Sequence, residues 1–177
     1  MRSGKYKGIG TARPIEIAHG RCTIASENVE VYDNIDLTLE GQAAWIHAIH
    51  WNILQDTVFA DANDDLYELF ALLSMNESLS NSTFNTDQNA LLDDENTLDF
   101  FTQSFQNVLT TSGQTIIPWG KSEWHQFPMP LLAPETIRMG VALIDGGNIQ
   151  SQIDCMVYYQ RIEKPTQAMK DYFYRRR

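Results

Sequence analysis

The clearest alternation of apolar and polar positions lies in two runs near the carboxyl end of the chain, residues 136–143 and 152–159. Every second residue of each run is apolar: Ile137, Met139, Val141, Leu143, Ile153, Cys155, Val157 and Tyr159. A repeat of two residues is that of a β-strand, whose successive side chains point to opposite faces. The segment between the runs, residues 145–148, reads Asp-Gly-Gly-Asn and suits a turn. The pattern therefore predicts an antiparallel pair of strands with one face on a core.

Shorter alternating runs predict two strands near the amino end. Residues 14–18 predict the first of them. The alternation over residues 29–39 predicts the second, with a turn or bulge at Asp33 and Asn34.

The segment 42–55 fits both a strand and a helix. As a helix, Ile46, Ile49 and Ile53 would share one stripe. As a strand, the segment would be apolar on both faces. Two Trp and three Ile within residues 45–53 favour the strand, because aromatic and β-branched residues pack well on a pleated sheet.

The remaining runs are shorter or less regular. Residues 66–73 fit a strand or a short helix, and the apolar residues of 98–109 are spaced closer to a helix than to a strand. Short extended pieces and long polar loops complete the pattern, with extended pieces at 115–119 and 124–129 and loops at 56–65 and 76–96.

About eight short strands, long polar loops and little helix predict an all-β fold. Within that class we expect an antiparallel β-sandwich, a single jelly roll with two four-stranded sheets. An immunoglobulin-type sandwich fits less well, because the separation of Cys22 and Cys155 does not match its spacing. The predicted organisation is a basic amino-terminal arm (1–13), a jelly-roll domain (14–163) and a basic carboxyl-terminal tail (164–177) with one or two helical turns.

Composition describes an ordinary globular protein. The chain has 177 residues, of which 43% are hydrophobic and 20% charged, so one domain with a sizeable core is expected. No apolar run approaches the ~20 residues of a membrane span, and the basic start has no apolar segment typical of a secretory signal. Two cysteines are too few for a disulfide framework, and two buried free thiols are favoured over a Cys22–Cys155 bridge.

Charge is distributed unevenly along the chain. The net charge is −10, yet residues 22–120 contain no Lys or Arg and hold sixteen of the 23 acidic residues. All thirteen Lys and Arg residues lie towards the two chain ends. This asymmetry fits two surfaces that face different surroundings, and it fits equally well an acidic soluble domain with solvated tails.

The chain contains no recognisable catalytic motif, and we expect no catalytic residues, no enzyme activity and no cofactor. His47 and His50 are three apart and would point to opposite faces of a strand, so they are expected to pack rather than to bind metal; His19 and His125 are isolated. The loop at Asp61, Asn63 and Asp65 begins like a calcium site. It lacks the Gly and the Glu of an EF-hand, so a solvated acidic loop is favoured and calcium is the alternative.

The closing strands resemble those of small single-jelly-roll viral capsid proteins. The resemblance lies in a Pro-rich approach (127–134) followed by the runs TIRMGVAL and SQIDCMVYYQRIE. It implies a structural subunit that assembles with copies of itself, alone or with other capsid subunits, into the shell of a virion inside the host cell. It also implies chain ends that face the genome.

Clustered Lys and Arg bind phosphates without regard to sequence, because each neutralised phosphate releases counterions. The only such clusters lie at the chain ends, and we expect an acidic middle to face solvent. The hypothesis is a nucleic-acid-facing set of seven residues: Arg2, Lys5, Lys7, Arg13, Arg175, Arg176 and Arg177.

Two other functions fit the sequence. A lectin-like or viral attachment sandwich would stack sugar rings on Trp119, Trp124 and Tyr158, although core positions are the plainer interpretation of these residues. An enzyme whose site is assembled from distant residues would leave no trace in the spacing.

Overall fold

The computed structural model describes residues 13–24, 31–58, 66–76, 94–106, 108–110, 113–115, 122–144, 149–163 and 165–174. Ten strands and one helix occupy these ranges: β1 (Glu16–Ile24), β2 (Val31–Asp36), β3 (Ala43–Val58), β4 (Leu66–Ser74), β5 (Thr97–Gln106), β6 (Val108–Thr110), β7 (Gly113–Thr115), β8 (Ser122–Ala133), β9 (Thr136–Ile144), β10 (Ile149–Ile162) and α1 (Gln167–Tyr174).

Eight of the strands form two four-stranded antiparallel sheets. The first sheet has the order β1-β10-β3-β8 and the second has the order β2-β9-β4-β5, while β6 and β7 pair separately. Taken in chain order, these eight strands alternate between the two sheets except at β4 and β5, which are neighbours in the second sheet. This order is that of a jelly roll, and the predicted fold class is confirmed.

The predicted hairpin at the carboxyl end is wrong in its pairing. Both runs form strands, but β9 pairs with β2 and β4, whereas β10 pairs with β1 and β3. Their apolar residues meet across the sandwich instead: Met139 of β9 and Cys155 of β10 belong to one buried cluster. Alternation specifies which face of a strand is buried, and it does not specify the neighbour.

Inner-face residues of both sheets form one core. Its largest members include Trp51 and Phe101, one from each sheet, whose rings stack with centroids 6.1 Å apart. The sheets also approach closely at the β1–β2 side. A Cβ added at Gly20 would lie 2.5 Å from Cδ1 of Ile35 and 3.2 Å from Sδ of Met139. Gly20 therefore permits an approach that a side chain would prevent.

β3 is a strand, as favoured, but its alternation changes phase at a bulge. Tyr158 of β10 lies opposite Ala48 and Tyr159 lies opposite Ile46, so His47 is the additional residue. Ile46 faces the core before the bulge and Ile49 faces it afterwards. A single uninterrupted period of two cannot describe both halves of such a strand.

Of the other local predictions of secondary structure, some are confirmed and some are wrong. Residues 66–73 are strand, and the segment 98–109, spaced more like a helix, is strand from Thr97 to Gln106. The turn or bulge predicted at Asp33 and Asn34 is wrong, because both residues pair in register with β9. The helical turns predicted in the tail are present as α1.

β8 lies at the edge of its sheet and carries two prolines. Its register with β3 jumps from the pair Gln126–Ala48 to the pair Leu131–Ile46, so residues 127–130 lie at the bulge. Pro128 and Pro130 fall within this stretch, where the missing amide hydrogens remove no ladder bond. Across the described ranges, no helix is long and apolar enough to cross a membrane.

We predict that Gly20→Val lowers the free energy of unfolding by about 1–3 kcal/mol, since its side chain would overlap Ile35 in a filled core. Urea unfolding followed by circular dichroism measures the change. Thr23→Val, at an exposed position of the same strand, is the control and should stay within about 0.5 kcal/mol of the parent. Equal effects of the two substitutions would contradict the close approach.

Candidate functional site

β1 begins and β10 finishes at the same end of the sandwich. β1 begins at Glu16 opposite Tyr159, and β10 finishes at Ile162 opposite Ala43. The amino-terminal arm and α1 therefore connect to neighbouring points of the first sheet. The connections 37–42 and 134–135 lie at this end too, joined by a hydrogen bond of 2.8 Å from the Leu37 amide to the Glu135 carbonyl.

Arg13 is the one member of the predicted nucleic-acid-facing set within the described ranges. Its carbonyl oxygen accepts a hydrogen bond of 2.6 Å from Nε2 of Gln160. Its guanidinium lies 2.9 Å from the carboxylate of Glu163. These two contacts attach the base of the arm to the end of β10. Arg2, Lys5, Lys7 and Arg175 to Arg177 lie outside the described residues, and their role stays a prediction.

Arg13 lines an open cleft together with Trp45, Arg161, Ile162 and Glu163. Arg161 pairs with Glu16 at 2.6 Å. Hydrogen bonding to Tyr159 and the charge of Glu16 outweigh desolvation and raise the pKa of Arg161. Both guanidinium groups of the cleft thus already have carboxylate partners.

Acidic residues are not confined to the opposite end of the sandwich. Asp94 and Glu95 come just before β5, which starts opposite Ser74 at the end that holds Arg13. The Asp61, Asn63 and Asp65 loop follows β3 and falls outside the described residues. Within the described ranges, no group of three or more His, Cys, Asp or Glu side chains could hold a metal ion.

A hydrogen-bonded network that the sequence does not reveal lies between the open edges of the two sheets. Asp99 of β5 accepts a hydrogen bond of 2.8 Å from Nε1 of Trp51. Nδ1 of His125, on β8, lies 2.8 Å from the same carboxylate, and Nε2 of His125 lies 3.1 Å from Glu123. Carboxylates only accept, so the doubly protonated imidazolium satisfies both contacts. His125, isolated in the sequence, thus connects the two sheets.

Burial and charge act in opposition on this network. Burial raises the pKa of Asp99, and the hydrogen bonds from Trp51 and His125 only reduce that rise. Desolvation by itself lowers the pKa of His125, but hydrogen bonds and charges of Asp99 and Glu123 outweigh it, so the pKa of His125 is raised. The cationic form of His125 is therefore stabilised by the fold.

Both cysteines are buried free thiols. Burial, and secondarily the charge of Asp33, raises the pKa of Cys22 to about 12. Burial also raises the pKa of Cys155. Both sulfur atoms therefore remain protonated near neutral pH, where a thiol is a poor nucleophile.

The bulge in β3 changes the placement of the histidine pair. Nε2 of His47 lies 3.1 Å from Oε1 of Gln160, which is next to the buried Tyr159 and points outward. His50 also points outward, where it contacts Ser122 and the ring of Trp124. The expectation that His47 and His50 face opposite sides of the strand is wrong, because the additional residue reverses the phase.

The outer face of the first sheet carries an aromatic cluster. The Trp124 ring centroid lies 4.7 Å from that of Tyr158 and 5.6 Å from that of His50. Ile17 is paired with Tyr158, and Met156 is paired with His50. We name these five residues the outer aromatic face. Trp124 and Tyr158, two of the three residues proposed for sugar stacking, are thus in contact, while Trp119 lies outside the described residues.

No family model matches the chain, and no curated protein matches it. Among solved structures it is similar to a chain described as Desmodium yellow mottle tymovirus, with 9% sequence identity and a TM-score of 0.36. The match covers 94% of this chain and 96% of that one. This is a weak resemblance, and the jelly roll is established by the strand order described above.

We predict that the network at His125 makes stability depend on pH. A histidine whose pKa is raised by folding stabilises fully below its unfolded value of about 6.5, and this contribution is lost as pH rises through the higher folded value. The free energy of unfolding should therefore fall as the pH rises above about 6.5. His125→Phe should lose the histidine contribution to this fall and be less stable near pH 6 by about 1–3 kcal/mol, since Asp99 loses a partner.

Urea unfolding at a series of pH values measures both effects. His19→Phe, at an exposed position of β1, is the control and should keep the pH dependence of the parent. The same fall with pH in the parent and in His125→Phe would show that another group is responsible.

Proposed function

We propose that this protein is a viral capsid subunit that assembles with copies of itself into a shell around nucleic acid. The observation that carries the proposal is the jelly-roll sandwich in which β1 begins and β10 finishes at one end, the end to which both basic terminal segments are joined. A subunit of this design places its cationic segments on one side of a shell and leaves the sheets and the loops of the other end for contacts and solvent. Its location is then the virion, with assembly inside the host cell.

Charge pairing supports a role for the terminal segments in particular. Arg13, Arg21 and Arg161 are paired with Glu163, Asp154 and Glu16 at 2.9, 2.7 and 2.6 Å. Phosphate binding by these three would have to displace an existing carboxylate partner. The remaining six residues of the proposed set, in segments 1–12 and 175–177, therefore carry the binding, and Arg13 mainly fixes where the arm begins.

Assembly requires surface that copies can cover. Six large apolar side chains are exposed in the described part of the chain: Ile15, Ile17, Leu39, Phe100, Trp124 and Met129. Single exposed apolar residues are ordinary, but a cluster of them marks an interaction surface. Two of the six, Ile17 and Trp124, lie on the outer aromatic face. No catalytic step enters this proposal.

We predict that neutralising the six terminal cations, Arg2, Lys5, Lys7 and Arg175 to Arg177, to Gln removes most of the nucleic acid that copurifies with the assembled protein. Each lost phosphate contact should reduce the slope of log affinity against log salt by roughly 0.7–0.9. Absorbance ratios of purified particles and salt titrations with a labelled single-stranded oligonucleotide measure the two effects.

A matched pair of variants controls for total charge. Replacing Arg175, Arg176 and Arg177 by Gln removes the same charge as replacing Lys121, Lys164 and Lys170 by Gln. We expect only the arginine variant to lose nucleic acid substantially. Equal losses would show that net charge, and not the terminal clusters, governs binding, and unchanged packaging in the variant lacking all six would overturn the assignment.

A further inference from the structure

The outer aromatic face lies in the middle of the first sheet and is uncharged at its centre. Trp124 is 50% exposed and Ile17 is 49% exposed, on the two edge strands β8 and β1. Tyr158, Met156 and His50 are half-buried between them, on the two central strands. Ile17 and Tyr158 are paired in one row across the sheet. In the adjacent row, Met156 is paired with His50, and His50 is paired with Trp124.

The third row, next to that of Met156, contains an ion pair, and the two rows described above contain none. Arg21 and Asp154 are paired in register, and the guanidinium donates hydrogen bonds of 2.7 and 3.1 Å to the two carboxylate oxygens. The row ends in Asn52 and Ser122. With histidine counted as neutral, the three rows together therefore carry no net charge, whereas the whole chain carries a net charge of −10.

We propose that this face is the contact between two copies of the chain, related by a twofold axis, with Trp124 and Tyr158 of each copy packed against the same face of the other. The inference deepens the proposed function, on which it rests for the expectation that copies associate. It assigns the first step of assembly to the first sheet and not to a strand edge.

Charge favours a second copy as the occupant. Two chains at −10 repel each other wherever acidic surfaces meet, and a face whose one ion pair is internally satisfied avoids this cost. Aromatic residues, Met and Arg are enriched in protein interfaces, whereas Lys and Glu are depleted. Trp, Tyr and Arg also dominate the binding energy of interfaces. Trp124, Tyr158, Met156 and Arg21 fit this composition.

The whole outer side of the first sheet, with the outer aromatic face at its centre, has the size of a dimer contact. Four strands about 4.8 Å apart and roughly nine residues long, at about 3.3 Å per residue, present a plane on the order of 600 Å². Stable interfaces bury about 600–1,000 Å² per partner. Two sheets can also pack face to face at about 10 Å with interdigitated side chains.

Sedimentation velocity of the full chain over a range of concentrations tests the inference. We expect the parent to sediment as dimers or as larger closed shells. Trp124→Glu should weaken association by about thirtyfold, because a carboxylate would replace a central aromatic anchor. Leu39→Glu introduces the same charge at a position that is 69% exposed, in the connection 37–42, and should associate like the parent.

Ile17→Glu is a second variant, on the opposite edge strand, which keeps the test decisive if Trp124→Glu does not fold. Circular dichroism and melting temperature establish that each variant is folded. The contact is supported if Trp124→Glu or Ile17→Glu is folded and loses association while the control Leu39→Glu associates like the parent. Association as strong as that of the parent in both folded variants overturns it, as does a parent that stays monomeric at about 100 μM, well above the Kd of a stable contact.

The outcomes separate this inference from the proposed function. Shells that contain nucleic acid and persist in Trp124→Glu would overturn the contact and leave the capsid proposal standing. Dimers that depend on Trp124 but never form shells would support the contact and remove the capsid proposal. A monomeric parent retained on an immobilised polysaccharide column, with retention lost in Trp124→Glu, would assign the face to carbohydrate and overturn the contact.

Discussion

The indole of Trp51 is buried between the two sheets, and its nitrogen needs a hydrogen-bond acceptor there. Its rings stack on Phe101 of the facing sheet, and its one polar atom donates to Asp99. A buried donor without an acceptor would cost about 1–3 kcal/mol. The need for that acceptor brings a carboxylate towards the core, and the carboxylate in turn holds His125. One apolar contact between the sheets thus determines the electrostatics of their open edge.

The sequence revealed which residues face the core better than it revealed which strands pair. Ile137 and Val157 are buried as their alternation predicts, because burial of every second residue is a local property. The pairing of β9 with β2 and β4 depends on residues more than sixty positions away, and nothing in the Asp-Gly-Gly-Asn sequence of 145–148 encodes it. The bulge at His47 is likewise invisible, since one additional residue leaves the composition of the segment unchanged.

The candidate sites follow the same division. Residue type alone singled out Trp124 and Tyr158, and the fold brings them into contact. His125 gave no signal, because Asp99 lies twenty-six residues away and becomes its neighbour only when β5 and β8 meet. Arg13 was grouped with the cations of the arm by its charge, whereas its contacts with Gln160 and Glu163 show that it also anchors the chain. Charge can be read from sequence, but its neutralisation by a distant carboxylate cannot.

The prolines of β8 have a consequence for the border of the first sheet on which they lie. An exposed strand edge is a template on which a second strand can grow, and repetition of that step leads to fibrils. Pro128 and Pro130 deny such a template its hydrogen-bond donors along one border of the first sheet. An edge without these donors pairs poorly with an added strand, so contacts made at this border depend more on side chains than on backbone hydrogen bonds.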